Sequence, residues 1–401
     1  TSLAAVALAF PILMITQQMA FGALGGAITS SIARSIGGGD IERAEKLLWH
    51  SLLIASCGAV VFLLAFLLGG ESLLKILGGK GPLLEESLSY CKIFLTGGIL
   101  IWLSGSLSAA LRGMGNMRYP AMLMSISSGM QVILSGGFIL GWLGFPKLGI
   151  AGAAVSALIS GGFMSLMMFL KLLSSSSKIN LKISRFSFEK ELFKDILNVF
   201  LPASLAPVFT VGTVLVLTGL VGQFGTTALA GYGIGSRVEF LMIPLVFGIG
   251  TAMTAMVGTN IGAKNIERAE RIGWLGGISA GFFAGIIGIV LALTPELWIN
   301  FFASDEATYL VTKQYIQAVG FCYGFQGVGL SLYFASQGAS AMKWPIIATV
   351  TRFTVAALGG WVSIYWFSGG LIGIFYSAAI AMTLFGLMLL ISLKMGAWRK
   401  S

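Results

Sequence analysis

The chain has 401 residues, 56% hydrophobic and only 10% charged. A water-facing globular surface carries about 25% charge, so a soluble domain is excluded and the solvent for most of this chain is lipid. The net charge of +10 would suit a nucleic-acid partner, but its placement along the chain assigns it to topology instead.

Continuous apolar runs predict spans near 3–30, 47–69, 88–110, 119–143, 150–172, 196–222, 228–257, 272–294, 313–336, 344–367 and 371–395. Each is long enough to cross a hydrocarbon core of about 30 Å as a helix. A transmembrane barrel would need alternating strands of about ten residues, and these runs do not alternate. The expected fold class is an all-α polytopic membrane protein. Its 55 glycines suit close helix packing, and Gly273, Gly277, Gly281 and Gly285 make a groove along one span.

Lys and Arg collect in alternate loops: Arg34, Arg43 and Lys46; Arg112 and Arg118; Lys171 to Lys194; Lys264, Arg268 and Arg271; Lys343; and Lys394, Arg399 and Lys400. The positive-inside rule makes these loops cytoplasmic, which places residue 401 on that side and residue 1 outside. The expected location is the cell membrane. The three cysteines fall inside spans at unrelated spacings, and the lone His50 has no second histidine with which to build a metal site or a triad. Enzyme chemistry has little to work with, and no cofactor is expected.

The stretch GGGDIERAEKLLW at 37–49 returns as GAKNIERAERIGW at 262–274, 225 positions later. SLSAALRGMGNMRYP returns as GLSLYFASQGASAMKWP, with Gly113 answering Gly338 and Pro120 answering Pro345. These anchors indicate a tandem duplication. Six spans separate the copies, an even number, so both halves point the same way, as in parallel-repeat transporters. The Glu-Arg-Ala-Glu run suits a short interfacial helix. TALAGYGI at 227 pairs with TSLAAVAL at 1, so the expectation is that one helix precedes residue 1 and that the complete protein has twelve. The expected domains are a first bundle at 1–172, a cytoplasmic linker at 173–195 and a second bundle at 196–401. The linker should end in an amphipathic helix with Leu192, Phe193, Ile196 and Leu197 on one face.

The segments IGSRVEFLMIPLVFGIGTAMTAMVGTNIGAKNIERAE at 234–270 and LRGMGNMRYPAM at 111–122 resemble the multidrug and toxic compound extrusion (MATE) family of secondary transporters. The resemblance covers essentially the whole chain. It implies two six-helix bundles facing a cleft, and expulsion of small amphipathic, often cationic compounds in exchange for H+ or Na+. The expected partner is the lipid bilayer and the expected state a monomer, and the charge map leaves no nucleic-acid partner. Related lipid-linked oligosaccharide flippases share the broad fold and stay open as an alternative, as does a degenerate non-transporting paralogue. Where many members carry an Asn-x-x-x-Asp pair, this chain has Gln131 and Ser135. Where some carry a Glu eight residues after a proline, it has Thr210.

A coupled carrier needs a titratable group at membrane depth, where such groups are expensive. Of the 15 acids, only Glu239 maps inside a span, with Arg237 two residues before it. Arg352 is the other deep charge. Glu239 is therefore the candidate coupling or substrate carboxylate, or else half of a structural ion pair with Arg237 or Arg352. Residues two apart on a helix do not face each other, which makes Arg237 the poorer partner. Gln131, Gln17, Gln18 and Gln326 are candidate substrate contacts or helix bridges. Pro11, Pro202, Pro207 and Pro244 are expected to permit bending.

Overall fold

A computed structural model describes residues 2–174, 178–182, 186–303 and 305–400. The linker residues 175–177 and 183–185, the latter including Arg185, lie outside the described residues, as does Ser401. Ten helices or joined helices are long and apolar enough to cross a membrane, and an eleventh span is a pair bent by 48°. The secondary structure is helical throughout, with no strand among the described residues. Contacts divide the chain into two compact units, Thr1–Ser204 and Leu205–Ser401.

In the first unit α1 (Ser2–Gln17), a π-helical turn (Gln18–Leu24) and α2 (Gly25–Gly37) form one long span. Helix α3 (Ile41–Ile76) follows. Next come α4 (Gly81–Thr96) and α5 (Gly98–Gly113), the bent pair, and then α6 (Arg118–Leu140) and α7 (Ile150–Leu173). Helix α1 packs on α4, and α2 packs on α5. Leu13, Phe66, Tyr90, Phe94 and Leu95 lie in one buried apolar cluster.

Helix α8 (Lys190–Gly222) runs from the first unit into the second. The second unit continues with α9 (Thr226–Ser236) and α10 (Glu239–Gly262), then α11 (Ile266–Leu293) and the short α12 (Glu296–Ile299). Helices α13 (Glu306–Val319) and α14 (Tyr323–Gly338) are joined by a 3-10 turn at Gly320–Cys322, before α15 (Lys343–Tyr365) and α16 (Gly370–Lys394). Here α9 packs on α13, and α10 packs on α14.

The duplication is legible at the level of single hydrogen bonds. The Thr29 hydroxyl donates to the Ala109 carbonyl at 2.9 Å, and Thr254 donates to Phe334 at 2.8 Å. Both members are offset by 225. Ser87 donates to Ala5, and Thr312 to Gly231, each at 3.1 Å. In that pair the acceptors are offset by 226. The first copy therefore holds one extra residue between Ala5 and Thr29. FG at 21–22 against FG at 247–248 places it after Gly22. The π-helical turn lies there. A π turn is the way an α-helix absorbs one inserted residue while the helix on either side keeps its register, so the irregularity follows directly from the sequence.

Both charged phrases open their helices instead of forming separate interfacial helices. Asp40 caps α3 by accepting from the Arg43 N–H at 2.8 Å, and Asn265 caps α11 through Arg268 at 3.2 Å. The linker binds the first phrase. Asp195 bridges Arg34 (2.5 Å) and Arg43 (2.9 Å), Lys46 pairs with Glu189 at 2.8 Å, and Lys182 reaches Glu45 at 3.3 Å. The Lys46 ammonium, donating to Glu189, holds that exposed carboxyl below the usual carboxylate range. His50 is buried in the same seam. Its Nδ1 donates to the Lys46 carbonyl and its Nε2 accepts the Glu189 N–H, which fixes one neutral tautomer. Glu270, which answers Glu45, accepts Arg399 from the chain terminus through both carboxylate oxygens at 2.8 and 2.7 Å. Leu192 and Ile196 are buried as the amphipathic pattern requires. Their helix is the first part of α8, which stays with the first unit as far as Ser204.

Candidate functional site

Glu239 sits at a discontinuity. Helix α9 ends at Ser236 and α10 begins at Glu239, so Arg237 and Val238 interrupt a span that runs from Thr226 to Gly262. The physical cause lies one turn further on. Pro244 has no N–H to give the Phe240 carbonyl, and its ring crowds that carbonyl. The chain upstream tightens to three-residue bonds instead, Phe240 N–H to Arg237 and Leu241 N–H to Val238, at 3.0 and 3.1 Å. The bend expected from Pro244 is thus a break just before it. Pro11 lies within α1 and Pro202 and Pro207 within α8, and neither helix is interrupted at those residues.

The break presents the half-buried Glu239 carboxylate to a set of aromatic side chains on other helices. Tyr315 on α13 donates its phenol to Glu239 Oε1 at 3.1 Å. Tyr232 on α9 meets the Tyr315 ring edge-on at 5.2 Å, and Phe375 on α16 does so at 5.1 Å. Tyr323, the first residue of α14, is fully buried, and its charge environment includes Glu239. Arg352 on α15 is the cation whose charge acts on Glu239, and its guanidinium lies over the Phe385 ring at 5.5 Å. A carboxylate, a phenol in contact, a second phenol nearby and one cation can hold or release a proton.

The other candidates fall elsewhere. Arg237 is exposed at the break, on the surface of the unit. Gln131 is exposed on α6. Ser135 forms a 2.6 Å hydrogen bond with Ser156, tying α6 to α7. Thr210 is half-buried on α8, beside Phe209, whose ring meets Phe353 at 5.3 Å. Gln326 is buried on α14, one turn beyond Tyr323. The three tyrosines were missed by sequence reasoning. The available signal was partial: Tyr323 lies well inside the apolar run 313–336, while Tyr232 and Tyr315 fall near the starts of their runs, where tyrosine is ordinary. No group of three or more His, Cys, Asp or Glu side chains that could hold a metal ion occurs among the described residues.

Comparison with known proteins gives a consistent result. The MatE family profile matches residues 1–135 and 202–362. A probable multidrug resistance protein NorM from Thermotoga maritima is 28% identical, over 93% of this chain and 80% of its own length. An FAD transporter from Shewanella oneidensis is 24% identical, over 90% of this chain and 81% of its own. The solved structure of a MOP superfamily transporter from Pyrococcus furiosus superposes on the whole chain and on 89% of its own, with a TM-score of 0.92 and 24% identity. At that identity the structure speaks for the fold alone.

Proposed function

The chain belongs to the MATE family of transporters, and from that premise we propose that it is a proton-coupled antiporter exporting small amphipathic, often cationic compounds by alternating access. The observation that carries this reading is Glu239, a lone carboxylate inside a span, held by the Tyr315 phenol at a helix break. Burying a carboxylate there is costly unless it is used or paired. A single carboxylate with a cationic neighbour suits a proton better than Na+, which would need several more oxygens and would meet the charge of Arg352. A flippase handling a pyrophosphate would need more free cations at this depth, and of the two candidates Arg237 is turned to the surface while Arg352 acts on Glu239. The protein resides in the cell membrane as a monomer, with its linker and C-terminus cytoplasmic by the distribution of Lys and Arg.

The test uses proteoliposomes with an imposed pH gradient and ethidium as the transported cation. Glu239→Gln should abolish gradient-driven efflux while ethidium still binds. Efflux at the wild-type rate would place the coupling group elsewhere.

A further inference from the structure

The two broken spans of the second unit interrupt side by side. One break lies at Arg237 and Val238, between α9 and α10, and the other at Gly320–Cys322, between α13 and α14. Because α9 packs on α13 and α10 on α14, the breaks divide this region into two helix pairs that meet at one level. The second break is tightly seated: a Cβ on Gly320 would lie 2.7 Å from the Gly288 carbonyl oxygen of α11. The bond between Tyr315 and Glu239 is the tie across that level, since it joins α13 of one pair to α10 of the other.

Tyr323 stands on the opposite side of the break from Tyr315. It opens α14, it is 0% exposed, and its Oη has no hydrogen-bond partner among the described residues. An unpartnered buried hydroxyl is unfavourable, so such a group needs a reason. We propose that Tyr323 is the second hydrogen-bond partner of Glu239, used when the carboxyl is protonated. The ionised carboxylate has no hydrogen to give and accepts from Tyr315. Once it takes up a proton, its new O–H needs an acceptor, and the Tyr323 oxygen offers free lone pairs. Moving the bond from Tyr315 to Tyr323 shifts the tie from α10–α13 to α10–α14. The two helix pairs are then no longer fastened to each other, and protonation becomes motion at the breaks. The titratable and charged groups around Glu239 are Tyr232 on α9, Tyr315 on α13, Tyr323 on α14 and Arg352 on α15, with Cys322 beside Tyr323. Only the two phenols of Tyr315 and Tyr323 flank the second break. The proposal rests on Glu239 being the coupling group.

The opposite roles give opposite signs. In proteoliposomes exporting ethidium, Tyr315→Phe removes the donor that favours the carboxylate and should raise the pH midpoint of transport by about one unit. Tyr323→Phe removes the acceptor that favours the carboxylic acid and should lower the midpoint by a similar amount. Infrared difference spectra give a second reading. The C=O band of protonated Glu239, identified by its loss in Glu239→Gln, should move to higher frequency in Tyr323→Phe and stay in place in Tyr315→Phe. If Tyr323→Phe does not fold, 3-fluorotyrosine at 323 keeps the shape, weakens the acceptor and should move the band the same way by less. A midpoint or band that ignores the change at 323, or a midpoint that moves in the same direction for both variants, overturns the proposal. Loss of coupling in Glu239→Gln alongside that outcome leaves the coupling reading standing, whereas unchanged coupling in Glu239→Gln removes that reading itself.

Discussion

The two units use one scaffold for unequal purposes. Each has two interrupted spans, and each fastens them with the same pair of bonds, Thr29 to Ala109 and Ser87 to Ala5 in the first, Thr254 to Phe334 and Thr312 to Gly231 in the second. Helices α5 and α14 match in length and offset, as do α6 and α15. The level of the breaks is where they part. Glu239, Tyr323 and Arg352 of the second unit are answered by Leu13, Gly98 and Ser127 of the first, and only Tyr315 has a like partner, Tyr90. Leu13 and Tyr90 pack in an apolar cluster. The bend between α4 and α5 at Gly97 answers the break at Gly320–Cys322, so that break belongs to the duplicated scaffold and exists without the charged site. The break at Arg237 and Val238 is not repeated, since α1 runs unbroken through Pro11 and Ile12, so it and the polar groups beside it belong to the second unit.

The deepest difference in the backbone is the extra residue of the first unit, and removing it is the strongest way to test the comparison. Deleting Ala23 should let the π turn relax to an ordinary α-helix with the register on both sides kept, at a cost of no more than ~1–2 kcal/mol. Deleting Ile249, at the corresponding depth of α10, has no spare residue to absorb it. It would turn one part of the helix by about 100° against the other, carrying Glu239 away from Tyr315. Unfolding monitored in detergent should show the first variant folded and the second not accumulating. Equal damage from both would mean that the π turn is not the stored insertion.

A smaller asymmetry lies at Gly113 and Gly338, which occupy the same place in the two copies. A Cβ would meet the Thr29 carbonyl oxygen at 3.0 Å in the first and the Thr254 carbonyl oxygen at 2.5 Å in the second. Both obstacles are backbone, which yields only by moving helices apart. Each substitution to alanine should destabilise by about 1–3 kcal/mol, with Gly338→Ala the worse. Midpoints of thermal unfolding in the opposite order would show that the two seams are not packed as the distances indicate.

How much of this was readable beforehand divides along physical lines. The spans were legible because a lipid solvent demands long apolar runs, and the repeat because its charged phrase is rare in such a chain. Glu239 and Arg352 stood out for the same reason, being charges where charge is expensive. The breaks at Gly97 and Gly320–Cys322 were not legible, since no proline lies in them and they are set by packing against neighbours, whereas the π turn at Gln18–Leu24 is written in the sequence as one extra residue of the first copy. Tyr315 and Tyr323 carry no charge, and a tyrosine inside a span reads as packing until another helix brings a carboxylate beside it. Gln131, Ser135 and Thr210 were marked by position in a family pattern. In the structure the first lies on a surface, the second bridges two helices, and among the described residues neither a hydrogen bond nor a ring contact links the third to Glu239.

The gentlest test concerns the segments that close each unit. Glu45 receives Lys182 from the linker and Glu270 receives Arg399 from the terminus, so the duplicated acid does one job twice. The linker has a further support, the Lys46–Glu189 pair beside His50. Glu189 has its carboxyl held below the ordinary range when folded. Such a group adds stability that is complete above the unfolded carboxylate range and is lost as pH falls through the lower, folded value. Acidification should thus loosen the linker's hold on α3 while leaving the spans intact, and Glu189→Gln should bring the same loosening to neutral pH. Because both side chains are partly solvated, the effect belongs to the modest class of exposed ion pairs and should weaken further in high salt. Hydrogen exchange at the linker amides, followed by mass spectrometry across the acid range, reads this directly. Faster exchange at 186–189 in Glu189→Gln at neutral pH, with unchanged exchange near Arg399, is the expected pattern. Exchange that does not respond to pH or to the substitution would mean that Asp195 and its two arginines hold the linker unaided.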